Sequence, residues 1–512
     1  MAPETTRIDP AAQNAALGLA PSPAALPAGY DPDLWNPDLA PTNAQQRNWD
    51  WKAFAALWVS MVVCVPAYLL ASGLIEQGMS WSQAALTILL GNLIILVPMV
   101  LIGHAGTQYG VPFPVLLRSA FGTQGAKLPA LARGLVACGW FGINSWVGGS
   151  AIYVILNTLT QQALVGSPLP VLGIDLAQFL CFLAFWMLHL YFIHHGTASI
   201  RWFEEIAAPF LIAMSIALVV WAYVKADGFG PIVAQESAFA PGGAKAGQFW
   251  PFFFMSLTAM VGFWATMALN IPDFTRFARS QKDQLWGQAI GLPIPMSLFA
   301  MVGIFVTSAT FVIYGEAIWD PVALAGRMGG LGVVLALIAL GVATLTTNLA
   351  ANVVAPAFGF ANLAPRFISF RMGGYITAGI GIAMFPWRLL ENAGTYLFTW
   401  LVGYSALLGP IAGILIADYF WLRKTRISVD DLFRQQGRYR GFHGWNLAGL
   451  VAFILGAMPN VPGFLHAAGI VDHVHPIFDQ FYTYAWFVGF ALGALIYRIL
   501  APILHPIQPA GA

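Results

Sequence analysis

Beyond residue 50 the chain is a succession of long apolar runs cut by short polar ones. Runs of about 20 apolar residues match the thickness of bilayer hydrocarbon when helical. Such helices are expected near 53–75, 82–103, 131–159, 171–193, 206–224, 249–270, 289–314, 331–352, 374–387, 394–417, 445–463 and 481–501, the ninth being the shortest. Twelve crossings put both termini on one side. Residues 1–50 are rich in Ala, Pro, Asn and Asp and lack an apolar core of signal-peptide type, so they read as a disordered tail. Within that tail, Asp33 to Pro41 is expected as a short ordered lead-in, and residues 503–512 as a second tail.

The polar positions inside the apolar runs carry most of the information. In the third run, Gly139-Trp140-Phe141-Gly142-Ile143-Asn144-Ser145-Trp146 places Trp140 and Asn144 four residues apart, one above the other on a helix. An indole face beside an amide can stack a flat ring and bond its edge. The plainer alternative is that Trp140 packs as bulk and Asn144 bonds a neighbouring helix. Two runs are expected to be interrupted: helix 1 at Cys64-Val65-Pro66-Ala67, and helix 6 at Val261-Gly262-Phe263-Trp264. Helices 1 and 6 are corresponding members of two five-helix halves, 51–225 and 226–420, that enter the membrane from opposite sides. Paired breaks in inverted halves point to a midplane binding site of the secondary-transporter kind. Helix 8 adds Thr346, Thr347, Asn348 and Asn352 within seven residues. Thr346 and Thr347 share a face with Ala343 and, opposite a broken helix 1, could offer oxygens to a small hard cation. Alternatively the threonines bond back to their own helix. At about 100° per residue, Asn352 falls on the face opposite Ala343, so helix 8 would stand between two sites.

Composition sharpens this picture. Of 512 residues, 58% are hydrophobic and only 9% charged, with 19 Trp and a mean hydropathy of +0.71. Soluble domains carry about 25% charged residues, so an integral membrane protein is implied. The net charge of +1 carries no nucleic-acid signature. With the N-terminus inside, 19 of the 23 Lys and Arg fall on inner segments, and only Lys225, Lys245, Arg327 and Arg388 fall outside. The positive-inside rule therefore makes both termini cytoplasmic, with the basic loop Arg423 to Arg440 inside, preceding helices 11 and 12 within 421–502. No Asp, Glu, Lys or Arg falls in the central part of helices 1, 3, 6 or 8, while Asp273 and Asp418 are expected at helix ends, in reach of water. A neutral, aromatic, amide-bearing site suits an uncharged planar heterocycle, and a neutral oxygen cage favours Na⁺ over H⁺. Cys64, Cys138 and Cys181 show no metal or disulfide spacing. His194-His195 and His466, His473 and His475 read as loop-end residues rather than metal ligands. HExxH, GxSxG and P-loop motifs are missing, and an enzyme is not expected.

Over about residues 31–500 the chain resembles the nucleobase:cation symporter-1 family, which includes hydantoin, allantoin, cytosine and uracil permeases. The matching segments are Asp38 to Pro41 with Gln46-Arg47, Gly110 to Gly122, Gly139 to Trp146, Asn348 to Pro356, and Leu408 to Gly413 through Asp418-Tyr419. The resemblance implies an all-α membrane fold of the leucine-transporter type, a 5+5 inverted repeat plus two C-terminal helices. It implies that Trp140 and Trp264 sandwich the substrate ring, that Asn144 and Asn352 bond its edge, and that Cys64, Gly262 and Phe263 line the same pocket. Na⁺ would be held by the carbonyls of Ser60, Val63 and Ala343 and the hydroxyls of Thr346 and Thr347, with Leu397 in the outer gate. Asn144 stands where many relatives have Gln, Cys64 where hydantoin and allantoin transporters have an amide, and Phe263 where the hydantoin transporter has Gly.

The expected activity is import of a small heterocycle by Na⁺ symport through alternating access, without a cofactor, by a monomer in the inner membrane. The alternatives are a proton-coupled relative carrying a vitamin-type heterocycle such as thiamine or pyridoxine, and a channel. Saturable uptake at low micromolar substrate separates a transporter from a channel.

Overall fold

The computed structural model describes residues 26–195, 197–328 and 330–504, so the start of the expected tail and residues 505–512 lie outside the described residues. Everything regular in it is helical. Among the described residues, eight helices are long and apolar enough to cross a membrane, and two bent helix pairs each make one more span. The fifth and ninth positions are taken by Thr197–Lys225 and the shorter Phe370–Ala383. These make the twelve spans expected from hydropathy. On helix 2, Leu86, Leu89, Leu93 and Val97 form an exposed apolar stripe at helical spacing, the surface that hydrocarbon tolerates and water does not.

Helix 1 is broken where the sequence places its proline. Trp51–Val62 and Val65–Glu76 meet at 58°. Asp50 caps the first half by accepting from the amides of Lys52 and Ala53. Pro66 sits in the first turn of the second half, where its missing N–H costs nothing. At the break the hydrogen-bond ladder is rerouted. The Cys64 N–H turns to the Val62 carbonyl at 2.9 Å, and the Ala67 N–H to the Cys64 carbonyl at 3.2 Å. In a continuous helix those two donors would serve the carbonyls of Ser60 and Val63. Both carbonyls are thereby released.

Helix 6 corrects an expectation. Phe249–Asn270 runs without a break through Gly262. A Cβ there would lie 2.7 Å from the Leu401 carbonyl oxygen and 3.0 Å from the Ser405 Cβ. Gly262 therefore serves close packing against helix 10, not interruption. The second interruption is in helix 8, where Gly330–Thr347 and Val354–Leu363 are joined by a widened, i→i+5 turn at Asn348–Val353. The bend there is 44°. Helix 10 opens with a turn of the same kind at Thr395–Leu401.

The helices pack as two groups. Helix 2 lies on helices 6 and 7, and helix 7 on both halves of helix 1; helix 3 lies on helices 4, 8 and 9. Each group thus takes two helices from the first five and their counterparts five places later. Helix 10 bridges to helix 12, which carries helix 11.

Two further expectations change. Residues 26–50 are packed rather than disordered: Tyr30 stacks on Phe433 with ring centroids 5.0 Å apart, and Leu34 and Leu39 are buried. Asp418 and Asp273 do not reach water. Asp418 is fully buried, 2.9 Å from the Arg423 guanidinium, and accepts from Tyr497 Oη and Ser119 Oγ at 2.8 Å each. Asp273 accepts from the Phe113 amide and from Asn270 Nδ2. Arg423 and Asn270 are neighbours in sequence, but Ser119, Tyr497 and Phe113, which complete the two sites, come from segments far along the chain. Removing one member of a buried, bonded ion pair leaves the other charge uncompensated. Asp418→Asn should therefore cost about 3–5 kcal/mol, read as a marked fall in the thermal midpoint of the detergent-solubilised protein. An unchanged midpoint would show that Arg423 finds water instead.

Candidate functional site

The break in helix 1, the face of helix 3 around Trp140, the middle of helix 6 and the widened turn of helix 8 converge on one cavity. It is lined by Met61, Cys64 and Pro66, by Arg133, Trp140 and Asn144, by Phe263, Trp264, Thr266 and Met267, and by Thr347, Ala351 and Asn352. Of the residues expected around a substrate, Trp140, Asn144, Trp264, Asn352, Cys64 and Phe263 are all brought here. Gly262 is not; it faces helix 10.

The two indoles do not form an open slot. Phe263 stands edge-on to Trp140, with centroids 5.5 Å apart, and edge-on to Trp264, at 4.9 Å. Helix 10 adds Tyr396, Trp400 and Tyr404, each with its ring within 6.2 Å of Trp140. The space left is about 40 Å³, enough to admit water, with Phe263 standing between the two indoles. The closure continues outward. Tyr396 Oη donates to the Pro66 carbonyl at 2.9 Å, and Leu397 is fully buried against Gly73 of helix 1.

Both amides are oriented. Asn144 Nδ2 donates to the Trp140 carbonyl at 3.0 Å, and its Oδ1 is buried with no protein partner among the described residues. Asn352 Nδ2 donates to Asn348 Oδ1 at 3.0 Å. The helix-8 turn lets Asn352 face this cavity while Ala343 faces a larger, apolar one of about 340 Å³ across helix 1, among Leu211, Trp221 and Leu340. That larger space has few polar groups to fix a ligand, whereas the smaller one is lined by two amides, a guanidinium and two indoles.

A third cavity, of about 280 Å³, holds the residues expected around the cation. Ser60, Val63, Thr346 and Thr347 line it, with Met61, Leu211 and Ala351. Ala343 lies outside its lining, and its carbonyl instead accepts from Thr346 Oγ1 at 3.0 Å. Thr346 therefore bonds back to its own helix. Thr347 Oγ1 is buried and unpartnered among the described residues. Ser60 and Val63, whose carbonyls the helix-1 break releases, line the same cavity. Among the described residues no cluster of three His, Cys, Asp or Glu could hold a metal, and the three cysteines are free.

Two features escaped the sequence reading. Arg133 is 3% exposed and lines the ring cavity; its Nε donates to the Thr266 carbonyl at 3.1 Å, while Nη1 has no partner among the described residues. The pocket is therefore not neutral. Arg133 lies seven residues before Trp140, two turns along the same face, and that spacing would have placed it. The other is His189 of helix 4, fully buried and bonded to Asn348 at 3.0 Å.

Residues 41–489 match the family model described as a permease for cytosine/purines, uracil, thiamine and allantoin. The chain belongs to this family. It is 45% identical to the purine-uracil permease of Arabidopsis thaliana over 474 residues, 92% of this chain and 78% of that one. It is 40% identical to the allantoin permease of Bacillus subtilis over 476 residues, 92% of this chain and 94% of that one. Among solved structures it is similar to Mhp1 in an inward-facing conformation, at 25% identity and a TM-score of 0.74, covering 93% of this chain and 96% of that one. The resemblance read from the motifs thus holds. The chain is a multi-pass membrane transporter of the permease family, with the leucine-transporter-type fold, and not an enzyme.

A buried cation with an unpaired Nη lowers stability, and an apolar side chain of similar length relieves that cost. Arg133→Met should leave the thermal midpoint of the substrate-free protein unchanged or higher. The stabilisation that substrate adds should shrink. A lowered midpoint with full substrate stabilisation would make Arg133 purely structural.

Proposed function

We infer that the chain imports a small uncharged planar heterocycle of the nucleobase, hydantoin or allantoin type by symport with Na⁺. Transport runs through alternating access, by a monomer in the cell (inner) membrane with both termini cytoplasmic. Trp140 and Trp264 are the aromatic walls, Asn144 and Asn352 the edge contacts, Cys64 and Phe263 the remaining lining, and Leu397 part of the outer gate. The named substrates of similar permeases support the ligand class, and Mhp1 has been solved with bromovinylhydantoin bound. The distribution of Lys and Arg supports the orientation. In keeping with it, the N-terminal lead-in and the basic loop share a side, since Tyr30 and Trp35 pack on Phe433.

One observation carries the coupling. Thr347 lines both the ring cavity and the cavity beside Ser60 and Val63, and its hydroxyl is unpartnered among the described residues. An ion held by Thr347 and the carbonyls of Ser60 and Val63 joins helix 8 of one packed group to helix 1 of the other. It binds the arrangements in which those helices are apposed, and these are the ones in which the substrate site is assembled. Differential affinity of this sort is what coupling requires, and it is reciprocal.

Sodium should raise substrate affinity by about 5- to 150-fold, and Thr347→Ala should remove most of that gain while leaving weak sodium-free binding. Substrate affinity at fixed pH, with sodium exchanged for choline, decides. Unchanged affinity, with uptake lost when a proton gradient is dissipated, would make the chain a proton symporter. Trp140→Ala removes a wall of the pocket and opens a cavity, and should weaken binding at least about tenfold. Binding within twofold of the parent protein would exclude the ring sandwich.

A further inference from the structure

The widened turn that opens helix 10 frees one carbonyl from its ladder. In an α-helix the Val402 N–H would serve the Phe398 carbonyl; here it turns to the carbonyls of Leu397 and Thr399. Helix 12 takes the Phe398 carbonyl instead, with Tyr482 Oη donating to it at 2.6 Å. Tyr482 is 2% exposed and lies beside the Phe464 ring, with centroids 6.2 Å apart. A Cβ on Gly403 would come within 2.8 Å of that ring and 3.5 Å of the Tyr482 hydroxyl, so helices 10, 11 and 12 are in close contact here. A hydroxyl buried in such a place has no water to fall back on if the carbonyl leaves it.

The donor is braced from behind. The Thr483 carbonyl, one residue on, accepts from Thr258 Oγ1 of helix 6 at 2.6 Å. Phe252 of helix 6 stands edge-on to Phe398, with centroids 5.4 Å apart. A further bond reaches the turn from the end of helix 11, Thr399 Oγ1 donating to the Ala467 carbonyl at 3.2 Å. The same turn carries the closure over the pocket, with Tyr396 bonded to the Pro66 carbonyl and Leu397 against Gly73. Such a turn has two registers. If the Phe398 carbonyl recovered the Val402 N–H, the turn would contract to the α form. Tyr396 and Leu397 would be carried round by one helical position, about 100° of turn and about 1.5 Å of rise. Neither would then meet helix 1 as it does now.

We propose that Tyr482 is a positioning residue for transport. By holding the Phe398 carbonyl it keeps the helix-10 turn widened, and through that turn it keeps Tyr396 and Leu397 closed over the ring cavity. Opening to the outside is contraction of the turn, and helices 11 and 12, which lie outside the two five-helix halves, set how often it happens. This rests on the reading of the Tyr396 and Leu397 closure as the outer gate of an alternating-access transporter.

The test uses a thiol already in place. Cys64 is free and lines the ring cavity beneath the closure, so its labelling rate reports how often the closure opens. The full-length protein in right-side-out membrane vesicles is treated with a membrane-impermeant methanethiosulfonate. Labelling is read by mass spectrometry at Cys64 and, as a control for general loosening, at the fully buried Cys138. Tyr482→Phe keeps the ring and removes the donor. It should raise the Cys64 rate about fivefold, the worth of one net hydrogen bond, and leave Cys138 unchanged. Val402→Pro removes the N–H that the contracted turn needs. It should slow Cys64 labelling below the parent's rate and cancel the rise when combined with Tyr482→Phe. An unchanged Cys64 rate in Tyr482→Phe, or a rise shared by Cys138, would overturn the role of Tyr482. A rise that survives Val402→Pro would overturn contraction as the opening step. Should Tyr482→Phe not be recovered as a monodisperse protein, Val402→Pro decides alone: slower labelling supports the proposal, and an unchanged or faster rate overturns it. Cys64 labelled only in inside-out vesicles, or left unprotected by saturating hydantoin, uracil and allantoin alike, defeats the reading of the gate and site themselves and is thereby distinguished.

Discussion

In hydrocarbon every backbone N–H and C=O must find a partner inside the protein, and this constraint decides where the helices can be interrupted. Helix 1 loses its ladder at Val63-Cys64, helix 8 widens at Asn348–Val353, and helix 10 widens at Thr395–Leu401. These three interruptions adjoin the cavities around Trp140, while a further widened turn, Ala417–Leu422 at the other end of helix 10, holds the Asp418–Arg423 pair instead. The groups that an unbroken helix would consume are thus kept where a ligand can use them. The cost of leaving the Ser60 and Val63 carbonyls unbonded falls on residues that line the cavities, where strained or under-satisfied groups are usually found.

The buried polar side chains obey the same constraint more tightly. His189, Asn348 and Asn352 satisfy one another and two carbonyls, so the network is rigid and directional. Of the buried polar atoms left without a protein partner among the described residues, Asn144 Oδ1, Thr347 Oγ1, Arg133 Nη1 and Trp264 Nε1 belong to residues of the pocket lining. Phe263 fills the gap between the indoles, and Leu397 and Tyr396 close helix 10 over helix 1. A heterocycle can enter only if those rings and that contact move. The bent helices supply the places where movement costs fewest hydrogen bonds.

How much of this was legible in the chain depends on the kind of signal. The twelve spans were legible because long apolar runs have no other cheap conformation in lipid, and the break in helix 1 because Pro66 cannot donate. Gly262 misled, because the missing Cβ that weakens a helix is also what lets Leu401 and Ser405 approach it. The turn in helix 8 had a signal that went unused. Pro356 has no N–H for the carbonyl of Asn352, four residues earlier, which loosens the ladder where the turn widens. Arg133 was legible by its spacing from Trp140 and was set aside by its closeness to the helix end. Asp273, Asp418 and His189 were not legible, since beside a near neighbour each depends on a distant partner, Phe113, Ser119 and Asn348 respectively, that only the fold brings up. Nothing local distinguishes a helix-end carboxylate in water from one bonded to Tyr497.

The location of the second break changes how the two packed groups communicate. With helices 1 and 6 both interrupted, as paired symmetry suggested, the flexible parts would lie within one group. Instead helix 6 is continuous and tied to helix 10, and the bends lie in helix 1 of one group and helix 8 of the other. These two face each other across the cavities, and Thr347 stands between them. A ligand on either side of Thr347 therefore acts on the same joint. An ion would draw the released carbonyls of helix 1 toward helix 8, and a ring bonded to Asn352 would fix the turn one step further along. Each shifts the joint only by its differential affinity for the closed arrangement. A shared joint makes that differential felt by both ligands without any longer pathway through the protein.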